Sequence, residues 1–294
     1  MIDDVDFYLI DLKSKFKKIN PKEYFLSYSG GKDSHFLYWF IKEYLHDTDI
    51  EIVGVNTYME HHEILQRMLK NCDRVLIPKL KPFEIKEKYG IPCFSKFQDE
   101  MIERYQKGSR TKNTMAAITG EGRITFKLNK KARELTLNNQ LHKVSNKCCK
   151  VIKKDTMKAY QKETGKKAIM GVRSSESALR KAQYTSCFTK DKKFTPIHDL
   201  SDELLEKIIK KYNIEVPNVY KYINRTGCMG CPYGKKNTEL ELSLINENQR
   251  KFVCKYFKES YEVLGITTEK QMTLDELLEK KVNRWNLKIF KKEI

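Results

Sequence analysis

The stretch Glu23-Tyr24-Phe25-Leu26-Ser27-Tyr28-Ser29-Gly30-Gly31-Lys32-Asp33-Ser34 constrains this chain more than any other. A short β-forming run breaks at two glycines and enters an amphipathic helix expected over His35–Tyr44. Gly30 and Gly31 can take backbone angles that other residues avoid, so successive N–H groups can converge on an anion while the next helix points its positive end at the same spot. Lys32 adds a mobile cation, and Ser29 and Ser34 add hydroxyl donors. The P-loop of nucleoside triphosphatases needs four residues between its first Gly and its Gly-Lys pair, and a dinucleotide fingerprint needs G-x-G-x-x-G; neither spacing occurs here. The alternative is a plain Gly-Gly turn with chance polar neighbours.

The pattern downstream supports a phosphate site. Strands are expected at Glu51–Thr57 and Arg74–Pro78, with a helix at Glu60–Asn71 between them. Strand, helix, strand, helix, strand is the signature of a parallel sheet. Ligands of such sheets sit off the C-terminal strand ends, which puts Asn56 and Thr57 beside the glycine loop; both side chains equally suit capping the following helix. A fourth strand, Lys167–Arg173, follows a helix at Asp155–Thr164 and leads into Ser174-Ser175-Glu176-Ser177-Ala178-Leu179-Arg180. A strand ending in Gly171-x-Arg173 can press its backbone on a ligand at the glycine and aim a guanidinium at phosphate or sulfate. Ion pairing with Glu176 is the competing reading for these arginines.

Between these strands, residues 95–145 carry no clear strand. A helical stretch at Lys96–Lys107 precedes a polar, basic run with Gly108, Gly120 and Gly122, and a second basic helix-like segment spans Lys127–Lys143. The segment reads as an insertion, either a lid, a docking surface or simply a solvated face. Ser201 is an expected N-cap for a helix at Glu203–Tyr212, where His198 and Asp199 read as structural. Residues 1–234 are expected to form one α/β domain containing the insertion, and residues 235–294 a helical C-terminal region.

Composition bears on partners. The formal charge of +18 favours a polyanion, although only 11 of the 57 basic residues are Arg, which a biased composition also explains. No apolar run approaches a membrane span, so no membrane partner is expected, and the acidic start, MIDDVDFYLI, does not read as a secretory signal; the expected setting is cytoplasmic. Eight cysteines are then expected as thiols. Two are adjacent, Cys148 and Cys149, and two form Cys228-Met229-Gly230-Cys231, a metal-ligand spacing. Four thiolates suit zinc or a [4Fe–4S] cluster; adjacent cysteines bite a small ion poorly and a bulkier cluster better. It also remains open that Cys148 and Cys149 are ordinary helix residues.

The S-G-G-K-D-S run resembles the PP-loop of the adenine nucleotide α-hydrolase superfamily. With Cys148-Cys149, 78 intervening residues and Cys228-x-x-Cys231, and with Gly171-x-Arg173-x-x-Glu176-Ser177-x-x-Arg180, the chain resembles the cluster-containing form of the phosphoadenosine phosphosulfate (PAPS) reductase family. Thr195-Pro196-Ile197-His198-Asp199-Leu200 is similar to that family's proline-led stretch before a helix. The resemblance implies a Rossmann-like (HUP-type) α/β fold, nucleotide phosphates at Ser29, Gly30, Gly31, Lys32, Asp33 and Ser34, and substrate contacts from Gly171, Arg173 and Arg180. It also implies that Cys148, Cys149, Cys228 and Cys231 are [4Fe–4S] ligands.

Two departures from that family direct the functional expectation. The Glu-Cys-Gly-aliphatic-His signature carrying the reductase nucleophile has no counterpart in the tail Asn286–Lys292, and no cysteine follows Cys254. The loop, meanwhile, keeps the full Gly-Lys-Asp-Ser, which suits ATP better than an adenylyl sulfate. The chain therefore looks more like the ATP-consuming relatives, among them DNA phosphorothioation and tRNA thiolation sulfurtransferases. The expected enzyme adenylates an acceptor (tRNA or DNA), releases pyrophosphate and delivers sulfur through the cluster or a thiolate, with a sulfur or electron donor protein as a partner. Lys32 and Arg173 would stabilise phosphate charge, Asp33 would hold Mg2+, and Cys187 is the candidate additional thiol. The alternatives are a sulfonucleotide reductase and a nucleotide- and redox-sensing regulatory module.

Overall fold

A computed structural model describes residues 3–121, 127–223 and 226–268. Gly122 and the Asn286–Lys292 tail named above lie outside the described residues. Among the described residues, no helix is long and apolar enough to cross a membrane. The chain divides into two compact units that interleave in sequence. The first joins Met1–Lys79 with Lys153–Asn224, and the second joins Leu80–Ile152 with the chain from Arg225 on. The sequence reading drew one boundary, at 234; the structure instead places the helical stretch after Leu80 in one unit with the C-terminal helices.

The first unit is built on a parallel sheet. In chain order its elements are α1 (Asp4–Phe16), β1 (Tyr24–Tyr28), α2 (Lys32–Trp39, continued by a π turn at Phe40–Tyr44), β2 (Glu51–Val55), α3 (His62–Asn71) and β3 (Arg74–Leu76). After residues of the second unit come α8 (Asp155–Thr164), β4 (Lys167–Met170), α9 (Ala178–Gln183) and α10 (Asp202–Lys211). The strand order is β3-β2-β1-β4, all parallel, with Leu26 of β1 opposite Ile52 on one side and Ile169 on the other. This is a Rossmann-like α/β fold.

Period-two alternation decides what each face of β1 buries. Tyr24, Leu26 and Tyr28 face a core shared with Leu9 and Leu12 of α1, Phe36 and Leu37 of α2, and Leu205 and Ile208 of α10. Phe25 faces the other side, where it meets Tyr160 of α8 edge-on with ring centroids 4.9 Å apart. A central strand covered on both faces reads as an unbroken apolar run, as Tyr24-Phe25-Leu26 does.

Several expected bounds shift for physical reasons. The helix α2 starts at Lys32 rather than His35, because Gly31 takes the N-cap position and hands over directly to helical geometry. The strand β4 stops at Met170, since Gly171 to Arg173 leave the ladder to meet the glycine loop. The helix α3 starts at His62 because Glu60 is engaged by Thr57, whose N–H and hydroxyl donate to its carboxylate at 3.0 and 2.5 Å.

The second unit is helical: α4 (Pro82–Tyr89), α5 (Lys96–Gln106), α6 (Lys112–Thr119), α7 (Lys130–Leu137), α11 (Thr238–Leu244), α12 (Glu247–Tyr256) and α13 (Lys258–Leu264). The helix α6 occupies what the sequence shows as a polar basic run. Thr111 caps its start, Gly120 ends it in the left-handed region at φ 78°, and Ala117 and Ile118 supply its buried face. The helix α7 is shorter than the expected Lys127–Lys143, since Asn129 caps its start and Asn139 turns left-handed at φ 53° just beyond its end. Ile102 of α5, Ala117 and Ile118 of α6 and Ala132 of α7 share one core, against which Val263 and Leu264 of α13 pack.

Candidate functional site

In the first unit the chain leaves β1 for β2 on one side and returns through β4 on the other, so the strand order reverses between β1 and β4. Crevices at such reversals are where open α/β sheets bind ligands. Both stretches singled out in the sequence arrive there. Gly30 adopts φ 72°, a conformation that side chains disfavour, and a Cβ on it would stand 2.9 Å from the backbone oxygen of Ile64. From the end of β4, Gly171 lies so close to the loop that a Cβ would meet the Asp33 carbonyl carbon and the Ser34 nitrogen at 3.0 Å.

The loop is braced from within. The buried Ser34 hydroxyl donates to the Gly31 carbonyl at 3.1 Å and accepts from the Ser29 N–H at 3.2 Å, with the Ser29 hydroxyl 3.0 Å away. Ser34 thus shapes the loop from inside, while Ser29 is exposed. The N–H of Lys32, at the open end of α2, donates to the Tyr220 hydroxyl at 3.1 Å. An oxygen therefore already sits on one of the amides that an N-terminal anion site offers.

Arg173 is 3% exposed and engaged by two carboxylates. Its Nε donates to Asp33 Oδ1 and its Nη1 to Asp202 Oδ1, each at 2.6 Å, and Nη1 also reaches Ser175 Oγ at 3.3 Å. Burial works against the charge, but Asp33 and Asp202 outweigh it and hold the guanidinium above its ordinary pKa. Arg180 pairs with Glu176. Asn56 accepts from the Tyr58 N–H at 2.9 Å, and Thr57 is fully buried on Glu60.

Cys187 lies in the same unit, half-buried, with its sulfur 3.9 Å from His198 Nδ1. That nitrogen is also 3.1 Å from the Thr195 carbonyl, and burial pushes the thiol's pKa up. Asp199 serves the fold, accepting from Lys15 at 2.7 Å.

The cysteine quartet lies wholly within the second unit. Cys148 and Cys149 hold their sulfurs 4.0 Å apart, and Cys148 packs on Ile85 of α4. Cys228 and Cys231 bracket a turn in which Gly230 takes φ 58°, and the Cys231 N–H donates to the Cys228 carbonyl at 3.2 Å. Tyr261 donates to the Gly230 carbonyl, and Tyr233 donates to Asp99 Oδ2 at 2.8 Å. Asp99, on α5 and fully buried, also accepts from the N–H groups of Cys93 and Phe94 at 2.7 and 2.9 Å. One helix of the insertion therefore anchors the second cysteine pair.

The two pairs are close enough to influence one another's ionisation. Cys148 is pushed well above the usual thiol range, first by its hydrogen bond with Cys149 and by burial, then by the Cys149, Cys231 and Cys228 thiols. Burial likewise raises Cys231, with Cys228 and Cys149 adding to the effect. Among the described residues, no group of three or more His, Cys, Asp or Glu is arranged to hold a metal ion.

Sequence reasoning missed Asp202, which reads only as a first-turn acid of α10, and Tyr220, which no motif marks. Both contacts depend on long-range packing, so no local signal exposes them.

A Rossmann-like α/β sheet with a double-glycine loop at its switch point is a PP-loop domain. The chain matches the phosphoadenosine phosphosulfate reductase domain over residues 23–233, and it belongs to that family. No curated protein matches it. Among solved structures, it is similar to phosphoadenylyl-sulfate (PAPS) reductase from Candida auris in a phosphate complex, at 10% identity and TM-score 0.42, covering 75% of this chain and 86% of that one. It is also similar to the NH3-dependent NAD synthetase of Campylobacter jejuni, at 14% identity and TM-score 0.36, covering 91% and 97%. A third similar structure is the U34-tRNA thiolase of Methanococcus maripaludis with its [4Fe–4S] cluster, at 12% identity and TM-score 0.38, covering 92% and 84%.

Proposed function

We propose that this chain is an enzyme that binds ATP at the Ser29–Ser34 loop, adenylates an acceptor with release of pyrophosphate, and carries a [4Fe–4S] cluster on Cys148, Cys149, Cys228 and Cys231 for sulfur transfer. The observation that carries the reading is the meeting of the Gly30 loop and the Gly171–Arg173 strand end at the switch point of a family-matched sheet. The backbone approach there leaves little room for side chains.

In the adenylation step an acceptor oxygen bonds to the α-phosphorus and the bond to the pyrophosphate oxygen breaks. Lys32 and the first N–H groups of α2 meet the charge that grows on the phosphate oxygens. Arg173 acts through Asp33, fixing that carboxylate at the first turn of α2. Asp33 would hold Mg2+, which would supply charge neutralisation to the triphosphate. Cys148, Cys149, Cys228 and Cys231 would hold the cluster, which would supply a site for sulfur or electrons. The basic surplus of the chain supports a nucleic acid, tRNA or DNA, as the acceptor.

The test is pyrophosphate release from ATP, with Lys32→Ala as control. Loss of one charge-assisted phosphate contact of ~3 kcal/mol lowers ATP affinity about 100-fold. Sulfite formation from an adenylyl sulfate with thioredoxin, and no pyrophosphate from ATP, would establish the reductase activity instead. Tight ATP binding without turnover of either would make the chain a regulatory module.

A further inference from the structure

Beyond α10 the chain of the first unit runs back over α3 and α2, and polar contacts mark its path. Arg67, buried on α3, donates through Nη1 to the Glu215 carbonyl at 2.6 Å and pairs through Nη2 with the Glu215 carboxylate at 3.2 Å. One turn nearer the start of α3, the Glu63 carboxylate accepts from Asn218 Nδ2 at 2.7 Å and from the Val219 N–H at 3.3 Å. A 3-10 turn over Asn218–Lys221 then carries the Tyr220 hydroxyl to the Lys32 N–H, which donates to it at 3.1 Å. Residues 215–220 therefore have two anchors on α3 and a tip on the first amide of α2.

Two features make this stretch movable at its tip. Its anchors stand beside open space, since Glu63, Arg67, Ile214 and Glu215 all line a cavity of about 630 Å3 between α2 and α3. The tip, moreover, makes the contact that a ligand would make. The leading N–H groups of a helix have no partner within the helix and suit an anion's oxygen. Tyr220 offers Lys32 a neutral oxygen, whereas a phosphate oxygen is charged and forms the stronger bond with the same N–H. One N–H cannot point at both, so the tip and a phosphate compete for it.

We propose that residues 215–220 are an autoinhibitory strap, whose Tyr220 tip occupies the Lys32 amide in the empty protein and is displaced when the phosphates of a nucleotide arrive. The proposal rests on the reading of the Ser29–Ser34 loop as the nucleotide site. The apparent affinity then depends on the fraction of molecules whose strap is raised. Glu63 and Asn218 are positioning residues, acting on the loop through Tyr220. Loosening their bond enlarges the raised fraction and tightens nucleotide binding.

The experiment measures ATP affinity by calorimetry for wild type, Asn218→Ala, Tyr220→Phe and the double variant, and amide exchange of the wild-type chain by NMR with and without ATP. Asn218→Ala is expected to tighten ATP binding severalfold, and to add nothing once Tyr220→Phe has removed the hydroxyl through which the anchor acts. Unchanged or weakened binding in Asn218→Ala, or the same change with and without the Tyr220 hydroxyl, overturns the strap. In the wild-type chain ATP is expected to slow exchange at Gly31–Ser34 and to speed it at the Val219 N–H, which loses Glu63 as the strap lifts. Slowed exchange at both places, or an unmoved Val219, overturns the strap while leaving the nucleotide site standing. A wild-type chain that binds no ATP and shows no protection at Gly31–Ser34 overturns the site and the strap together.

Discussion

Arg173 Nε and Asp33 Oδ1 meet at 2.6 Å although 140 residues separate them in the chain. The bond ties the end of β4 to the first turn of α2, so the two lips of the crevice are fastened to each other by a buried ion pair. A guanidinium held this way orients Asp33, and its second carboxylate partner, Asp202, is the more exposed of the two, at 56% against 23% for the Asp33 side chain.

That asymmetry fixes the first prediction. Arg173→Ala strands Asp33 beside a buried void and is expected to cost about 3 kcal/mol of stability, as breaking one side of a buried pair does. Asp202→Asn removes only the more exposed partner and is expected to cost less than ~1 kcal/mol. Urea denaturation of the two variants checks both values, and equal losses would contradict the assignment of Asp33 as the partner that matters.

Gly171→Ala sets a methyl 3.0 Å from the Asp33 carbonyl carbon and the Ser34 nitrogen, both backbone atoms that cannot rotate away. The loop must shift by a few tenths of an ångström at the point where phosphates are bound. The expected result is about a tenfold loss of ATP affinity, equivalent to ~1.4 kcal/mol, read by calorimetry. Unchanged affinity would place the nucleotide elsewhere.

Tyr220→Phe removes the hydroxyl that accepts from the Lys32 N–H. With that amide freed for an incoming phosphate oxygen, ATP affinity is expected to rise severalfold, by the ~1 kcal/mol of one neutral hydrogen bond that binding otherwise breaks. A fall in affinity would mean that Tyr220 contacts the nucleotide itself.

The sheet was legible because its strands obey a simple rule. Tyr24-Phe25-Leu26, Ile52-Val53 and Ala168-Ile169 are apolar runs bounded by turn residues, and a strand buried on both faces has no other way to read. The loop was legible because Gly30 needs a left-handed angle that glycine takes without cost. The helix α6 was hidden because Lys112 and Asn113 mask a short buried face, while Thr111 and Gly120 at its ends do the structural work. The engagement of Arg173 by Asp202, and the anchoring of Tyr233 by Asp99, were not legible at all. Each depends on side chains brought together by packing from distant parts of the sequence.

His35 gives the fold a defined acid response. Burial first, then the charges of Arg67 and Lys70, lower its pKa from 6.5 to about 4, and its Nδ1 lies 2.9 Å from the Tyr28 hydroxyl. The unfolded chain takes up this proton as pH falls through 6.5, while the folded chain refuses it until about 4. Stability is therefore lost on acidification across that window, by up to ~3 kcal/mol for this group. His35→Gln is expected to flatten the pH dependence of urea midpoints over that window by about one proton. An unchanged slope would mean that the imidazole is already charged in the native state.

The interleaving of the two units sets a timetable for biosynthesis. Tyr28 closes the central strand early, yet Met170, at the end of the neighbour that covers its second edge, emerges about 140 residues later. At 5–20 residues per second that interval is on the order of ten seconds. Throughout it the nascent sheet exposes a bare apolar margin with unpaired amides, the surface on which strangers add strands. Slow translation or a holdase acting while residues 80–152 are made is therefore expected to govern how much of this protein reaches its native form, more than any contact in the finished molecule.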